Sequence, residues 1–150
     1  MSIDYFKIPE ISVSYKDKVK ASDRFLVRTS FDIVKILKKA FKDCMQHHEE
    51  SFAIFLNRAN RVIGISSISK CGISETVVDI RIVMQIALKV CASGIVFSHN
   101  HPSGNLTPSD SDVNLTRILK EAGKLLNIRL IDHIIMTEEY HYSFADEGRL

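Results

Sequence analysis

Two histidines one residue apart, His99 and His101, close the apolar run of "IVFSHNHPSG", and a Ser/Asp cluster, "PSDSD", follows after a short Gly/Asn loop. In an extended chain, residues two apart point to the same side. His99 and His101 can therefore present two imidazoles to one point, while Asn100 faces away. Asp112 falls in the first turn of the helix that Ser109 begins, on a connection short enough to fold back. Two imidazoles and one carboxylate suit zinc and leave a fourth position for water. Water held there is acidified towards neutrality and becomes a nucleophile. The same residues also admit a plainer reading. Ser109-x-x-Asp112 is a helix start in which Ser caps and Asp favours the positive end, and the histidines alone could be polar residues at a strand end. All four on one strand–loop–helix unit favour the metal reading.

The elements that must position these residues follow from periodicity. Ile11, Val13 and Tyr15 of "EISVSYK" alternate with polar residues, which predicts a strand. Ser30 is expected to cap a helix to about Cys44, with Ile33, Ile36, Leu37 and Phe41 on one stripe. "SFAIFLNRANRVIGISSI" reads as two strands joined at Asn57 to Asn60, with Gly64 as a bulge or close-packing point. Its first run is apolar on both faces, as in a strand covered on both sides. A helix is expected from Asp79 to about Cys91, with Ile82, Ile86, Ala87 and Val90 inward. Then come a strand Gly94–Ser98, a helix from Ser109 to about Leu126, and two strands, "IRLIDHIIM" and "HYSFA". The alternation predicts one three-layer α/β domain with a mixed sheet over residues 1–150. Ligands in such sheets commonly bind just beyond the carboxyl ends of strands, where the histidines fall.

Composition sets the outer limits. A chain of 150 residues, 45% hydrophobic and 25% charged, can bury its own core. Its 20 basic and 18 acidic side chains give a net charge of +2. That is no nucleic-acid footprint, although one basic face could sit within a neutral total. Cys44, Cys71 and Cys91 are odd in number and lack CxxC spacing, as expected of ordinary thiols in a reducing compartment. "MSIDYFKIPE" has neither a basic nor an apolar signal region, and no uncharged apolar run has membrane-spanning length. A soluble, cytoplasmic protein with no membrane partner is expected.

The pattern H-x-H-x(7)-S-x(2)-D, formed by His99, His101, Ser109 and Asp112, resembles the metal motif of JAMM/MPN+ metalloproteases. The flanking "HNHPSG" and "PSDSD", with "IDHIIM" and "YSFADEG" downstream, are similar to the RadC-like branch of that superfamily. The resemblance runs from about Glu49 to the C-terminus. It implies an α-β-α MPN/JAB-type, cytidine-deaminase-like fold, and one zinc per chain on His99, His101 and Asp112. It also implies a Ser, here Ser109, that stabilises the carbonyl oxygen, and a Glu from an earlier strand as general base. Either Glu49 or Glu50 could be that base, and strand phase does not choose between them. Spacing back from Leu56-Asn57 in the resembling family favours Glu49, with Glu50 the alternative.

Asp132 and His133 form a "DH" pair that recurs in RadC-like chains. Neighbours on a strand face opposite ways, so one of them is a candidate to support the site or contact substrate, the alternative being a structural buried polar role. His47, His48 and His141 read as surface residues, and Gly104 and Asn105 as residues that shape the loop. The implied activity is hydrolysis of an amide or isopeptide bond in an unidentified peptide or protein. Nothing matches the N-terminal helix-hairpin-helix region of bacterial RadC-type proteins, which argues against direct DNA binding. The rival expectation is a non-catalytic metal-binding or protein-interaction module linked to DNA repair or mobile elements.

Overall fold

The computed structural model describes residues 9, 11–70 and 77–150. In chain order its elements are α1 (Ser30–Ala40), β1 (Glu50–Leu56), β2 (Val62–Lys70), α2 (Ile80–Lys89), β3 (Gly94–Asn100), α3 (Asp110–Leu125), β4 (Arg129–Met136) and β5 (His141–Ser143). The five strands form one mixed sheet in the order β2-β1-β3-β4-β5. β3 is central, antiparallel to β1 and parallel to β4.

Both faces of the sheet are covered, which makes the three layers. On one face, Ile33, Val34 and Leu37 of α1 pack on Ile54, Leu56, Val96, Ile134 and Met136. On the other, Val83, Met84 and Ala87 of α2 and Leu119 of α3 cover Ala53, Phe55, Ile95, Phe97 and Leu130. Each fully buried aliphatic or aromatic side chain of this kind contributes about 1.5–3 kcal/mol by leaving water. The layers therefore need no metal to hold them. None of the helices among the described residues is long and apolar enough to cross a membrane.

Several expectations are corrected. Ile11, Val13 and Tyr15 form no strand, and they are 90%, 73% and 42% exposed. Alternation without a neighbouring strand to pair with leaves the backbone in water. Glu10 of that stretch, like Cys71, lies outside the described residues, while Cys44 and Cys91 are free thiols. The cap of α1 is Thr29, in a capping box with Asp32. Ser30 instead donates from Oγ to Asp146 Oδ2 at 2.5 Å, which ties the start of α1 to the C-terminal turn. α1 also ends at Ala40 rather than near Cys44. The carbonyls of Cys44, Met45 and His48, at the end of that segment, are bonded by the Asn100 side-chain amide at 3.2, 3.2 and 2.9 Å. In α2 the buried stripe is Val83, Met84 and Ala87, and Ile82 is 40% exposed. β3 continues beyond Ser98 to Asn100.

Two irregularities set which side chains face which way. Near Gly64 the register slips, since Phe55 pairs with Gly64 and Leu56 with Val62. In β4, Ile95 pairs with Leu130 but Val96 with Asp132, so Ile131 is an inserted residue. This bulge re-aims the residues after it. It brings His133, rather than Asp132, onto the α3 face.

α3 hands over to β4 through a tight turn. Asn127 has φ 56°, and the amides of Leu126 and Ile128 both donate to Gly123 O, at 3.1 and 2.8 Å. A Cβ at Gly123 would stand 2.2 Å from Ile128 O, which is backbone and cannot step aside, whereas one at Gly64 would meet nothing within 4 Å. Gly123→Ala should therefore cost about 2 kcal/mol, or roughly 4–8 °C in Tm. Gly64→Ala should leave Tm almost unchanged. Equal Tm values in thermal unfolding would contradict this account of the turn.

Candidate metal centre

β3 delivers His99 at its carboxyl end, and His101 follows one residue beyond it, still held to β4 by its N–H donating to Met136 O at 2.8 Å. The chain then turns at Gly104, whose φ of +80° favours glycine. It returns as α3, whose first turn carries Asp112. His99 Nε2 stands 2.9 Å from His101 Nε2 and 3.1 Å from Asp112 Oδ1, and His101 Nε2 is 3.7 Å from Asp112 Oδ2. The three residues form a triad compatible with a metal site. A metal at about 2.0–2.1 Å from each donor holds tetrahedral ligands about 3.3–3.4 Å apart. The two separations from His99 Nε2 fall slightly short of that value, and that of His101 Nε2 from the carboxylate, at Oδ2, lies slightly beyond it.

Hydrogen bonding fixes which ring nitrogens carry protons, the assignment resting on the partner at each nitrogen. The Asn105 carbonyl can only accept, so His101 Nδ1 donates to it at 2.6 Å. The neutral ring then has a bare lone pair on Nε2. A second chain starts at Thr116, whose hydroxyl donates to Asp112 O at 2.7 Å. With its one proton spent, Thr116 Oγ1 must accept from His133 Nδ1 at 2.6 Å. His133 is fully buried between Phe97, edge-on at 5.1 Å, and Phe144, stacked at 4.8 Å. Burial holds its pKa well below the ordinary histidine range. It is therefore neutral, its Nε2 accepts, and His99 Nδ1 donates to it at 2.9 Å. The Nε2 of His99 is left as a second lone pair facing the first.

Asp112 is the third acceptor. Burial alone would raise its carboxyl pKa, but the Ser109 hydroxyl and N–H that donate to it lower it, and whenever His99 is protonated its Nε2–H and charge lower it further. Ser109 Oγ donates to Asp112 Oδ2 at 2.7 Å and its N–H donates to the same oxygen at 2.8 Å, while Asp112 N–H donates back to Oγ at 3.1 Å. The capping box and the triad thus share one residue. Oδ2 serves the helix start and Oδ1 faces His99.

The two glutamates part company. Ser51 lies opposite His99 in the β1–β3 ladder. Glu49, in phase with Ser51, lines a 400 Å³ cavity with His99, His101, Ser109 and Asp112. Glu50 points to the α1 face, where it is buried and meets His48 Nε2 at 2.7 Å. Asp132 also lies away from the triad, accepting from Ser143 Oγ at 2.6 Å and Ala145 N at 3.0 Å. Its carboxyl is raised by burial. Of the other histidines, His47 is exposed, whereas His48 and His141 are half-buried, so the surface reading fails for those two. His48 is drawn in by Glu50, and His141 by edge contact with Phe31 at 5.4 Å.

Three contributors escaped the sequence reading. Thr116 sits one turn after Asp112, a spacing at which a hydroxyl bonds back to the helix carbonyl. That spacing was an available signal. Phe144 stacks on His133 from a distant segment, with no local cue. Asn100 does face away from the triad as expected, but it accepts from Glu50 N at 2.8 Å and clamps the turn before β1.

A family model described as RadC-like JAB domain matches residues 27–149. Among similar proteins, the UPF0758 protein of Flavobacterium johnsoniae is 46% identical over 101 residues, covering 67% of this chain and 44% of that protein. That of Porphyromonas gingivalis is 42% identical over 103 residues, covering 68% and 45%. That of Staphylococcus haemolyticus is 34% identical over 127 residues, covering 85% and 55%. The chain thus spans about half the length of the relatives it matches.

The hydrogen-bond chain makes a direct spectroscopic prediction. Long-range ¹H–¹⁵N spectra should show His99, His101 and His133 all protonated on Nδ1. Thr116→Val removes the group that orients His133 and should weaken binding of Zn²⁺, used as a probe, about 10- to 100-fold, while Thr116→Ser should retain it. Unchanged affinity in the valine variant would show that the chain does not orient His99.

Proposed function

The chain belongs to the RadC-like JAB domain family, and from that premise we propose that it is a zinc-dependent hydrolase of amide or isopeptide bonds. One observation carries the reading. Three electron-rich atoms lie within 4.8 Å of one another, and the neighbours of both imidazoles commit the remaining ring protons elsewhere. Such a cluster calls for a cation.

His99 Nε2, His101 Nε2 and Asp112 Oδ1 would hold the zinc. The chemistry zinc supplies when bound is polarisation of a carbonyl and acidification of water. Glu49, on the cavity wall, takes the proton released as water attacks the amide carbon and returns it to the departing nitrogen. Ser109 donates to the carbonyl oxygen as negative charge develops there, which requires its hydroxyl to rotate away from Asp112 Oδ2. Val78, Phe97 and Leu115 give the cavity an apolar wall suited to a peptide or protein substrate. The free thiols of Cys44 and Cys91 support a reducing compartment such as the cytoplasm.

A second reading, a non-catalytic metal-binding or protein-interaction module, has one observation on its side. The Ser109 hydroxyl already serves the capping box.

The test is turnover of a library of peptide and isopeptide substrates by zinc-loaded protein. Glu49→Gln should keep its zinc and lose about 10²- to 10⁴-fold in rate, the usual contribution of a general base. Glu50→Gln should stay close to wild type. Full activity in Glu49→Gln with loss in Glu50→Gln would transfer the base to Glu50. Full activity in both would remove the mechanism.

A further inference from the structure

We propose that the cavity lined by Arg58, Lys120, Lys124 and Arg129 is a binding site for a ligand carrying two or more phosphate groups. The cavity has a volume of about 860 Å³. It lies at the end of the sheet away from the triad, because β3 and β4 begin there and His99 stands at the other end of β3. Ser93 comes from just before β3, Arg58 from the β1–β2 turn, and the rest from the end of α3 and the start of β4.

Charge is the first argument. Four cationic side chains line the cavity and no Asp or Glu does, in a chain whose net charge is only +2. Among the described residues none of the four has an ion pair or side-chain hydrogen bond. Arg117, one turn earlier on α3, is instead held by Glu121 at 2.9 Å. Unpaired cations converging on a concavity raise the local concentration of anions. The plain alternative is that lysines in the last turn of α3 merely offset its terminal carbonyls. Those carbonyls already have partners, since Gly123 O accepts from Leu126 and Ile128, and Lys124 O from Leu126 and Asn127. Two carbonyls of the last turn are therefore satisfied without the lysines.

Size and lining select the ligand. The volume exceeds the needs of one inorganic anion and falls in the ordinary range for organic ligands of about 300–1,000 Å³. Ile128 and Leu130, both buried, give it an apolar floor, and Asn127 and Ser93 add polar edges. Two guanidinium forks suit phosphate oxygens. A phosphate monoester carries about −1.5 to −2 charge at neutral pH, so two phosphate groups match four cations. No aromatic residue lines the cavity on which a base could stack, so recognition falls on the phosphates. Free nucleotides carry that charge on two phosphate groups, and a nucleic-acid strand supplies it with about four singly charged backbone phosphates.

The test is calorimetric titration of the full chain, at low ionic strength, with pyrophosphate, ADP and a short oligothymidylate. Wild type should bind at least one of them, with affinity falling as salt rises. The double variant Lys120→Ala with Arg129→Ala should bind it at least about tenfold more weakly, as expected when charge-assisted contacts are lost. A second pair, Arg58→Glu with Lys124→Glu, should do the same, so a folding defect in one pair does not decide the outcome. Binding of pyrophosphate or ADP assigns the ligand to free phosphate compounds. Binding of the oligonucleotide alone assigns it to a strand. His99→Ala should bind as wild type does, so the result is independent of the proposed hydrolase. No binding of any probe at concentrations on the order of 10 mM, or binding that both charge variants retain in full, overturns the proposal.

Discussion

Thr116 has one hydroxyl proton, and its destination decides the electronic character of the site. Given to the Asp112 carbonyl, it forces His133 to donate from Nδ1 and accept at Nε2. That in turn turns a bare nitrogen of His99 towards Asp112. Reversing any one bond in this sequence would put a proton where a ligand lone pair is needed. The arrangement is closed on itself, because Thr116 and Asp112 are one turn apart on α3 while His99 and His133 are on adjacent parallel strands. Burial between Phe97 and Phe144 keeps His133 neutral and so keeps the sequence of donors single-valued.

Sheet topology makes that closure possible. β3 and β4 run parallel, so the chain must cross back between them, and α3 is the crossing element. Its N-terminus therefore begins near the carboxyl end of β3, where His99 and His101 emerge. The capping box at Ser109 and Asp112 starts the helix and presents Oδ1 to the histidines, so local helix chemistry and the site use the same carboxylate. Asn100 works on the opposite face. Its amide gathers the turn after α1 and fixes where β1 starts, with Glu49 on one side and Glu50 on the other.

What could be read in the sequence was what depends on short spacing. His99 and His101 share a side by strand periodicity, and Ser109 and Asp112 share a helix start, so the triad could be named before any fold was known. The α/β layering was legible for the same reason, through alternation of period-2 and helical patterns. Features set by pairing between distant segments were not legible. β1 is apolar on both faces, and only the register that puts Ser51 opposite His99 separates Glu49 from Glu50. Regular alternation from Leu130 would send Asp132 towards the triad, and the inserted Ile131 sends His133 instead. Ile11, Val13 and Tyr15 show the converse failure. Their alternation is real, but none of the strands among the described residues pairs with it.

The central claim is that three acceptors held by committed neighbours require a cation. Elemental analysis of the purified, untagged protein, wild type beside His99→Ala, addresses it most directly. About one zinc per chain in wild type, absent from the variant, is the predicted result. Wild type that holds no metal after zinc is offered and washed away, or a variant that holds as much as wild type, would contradict it.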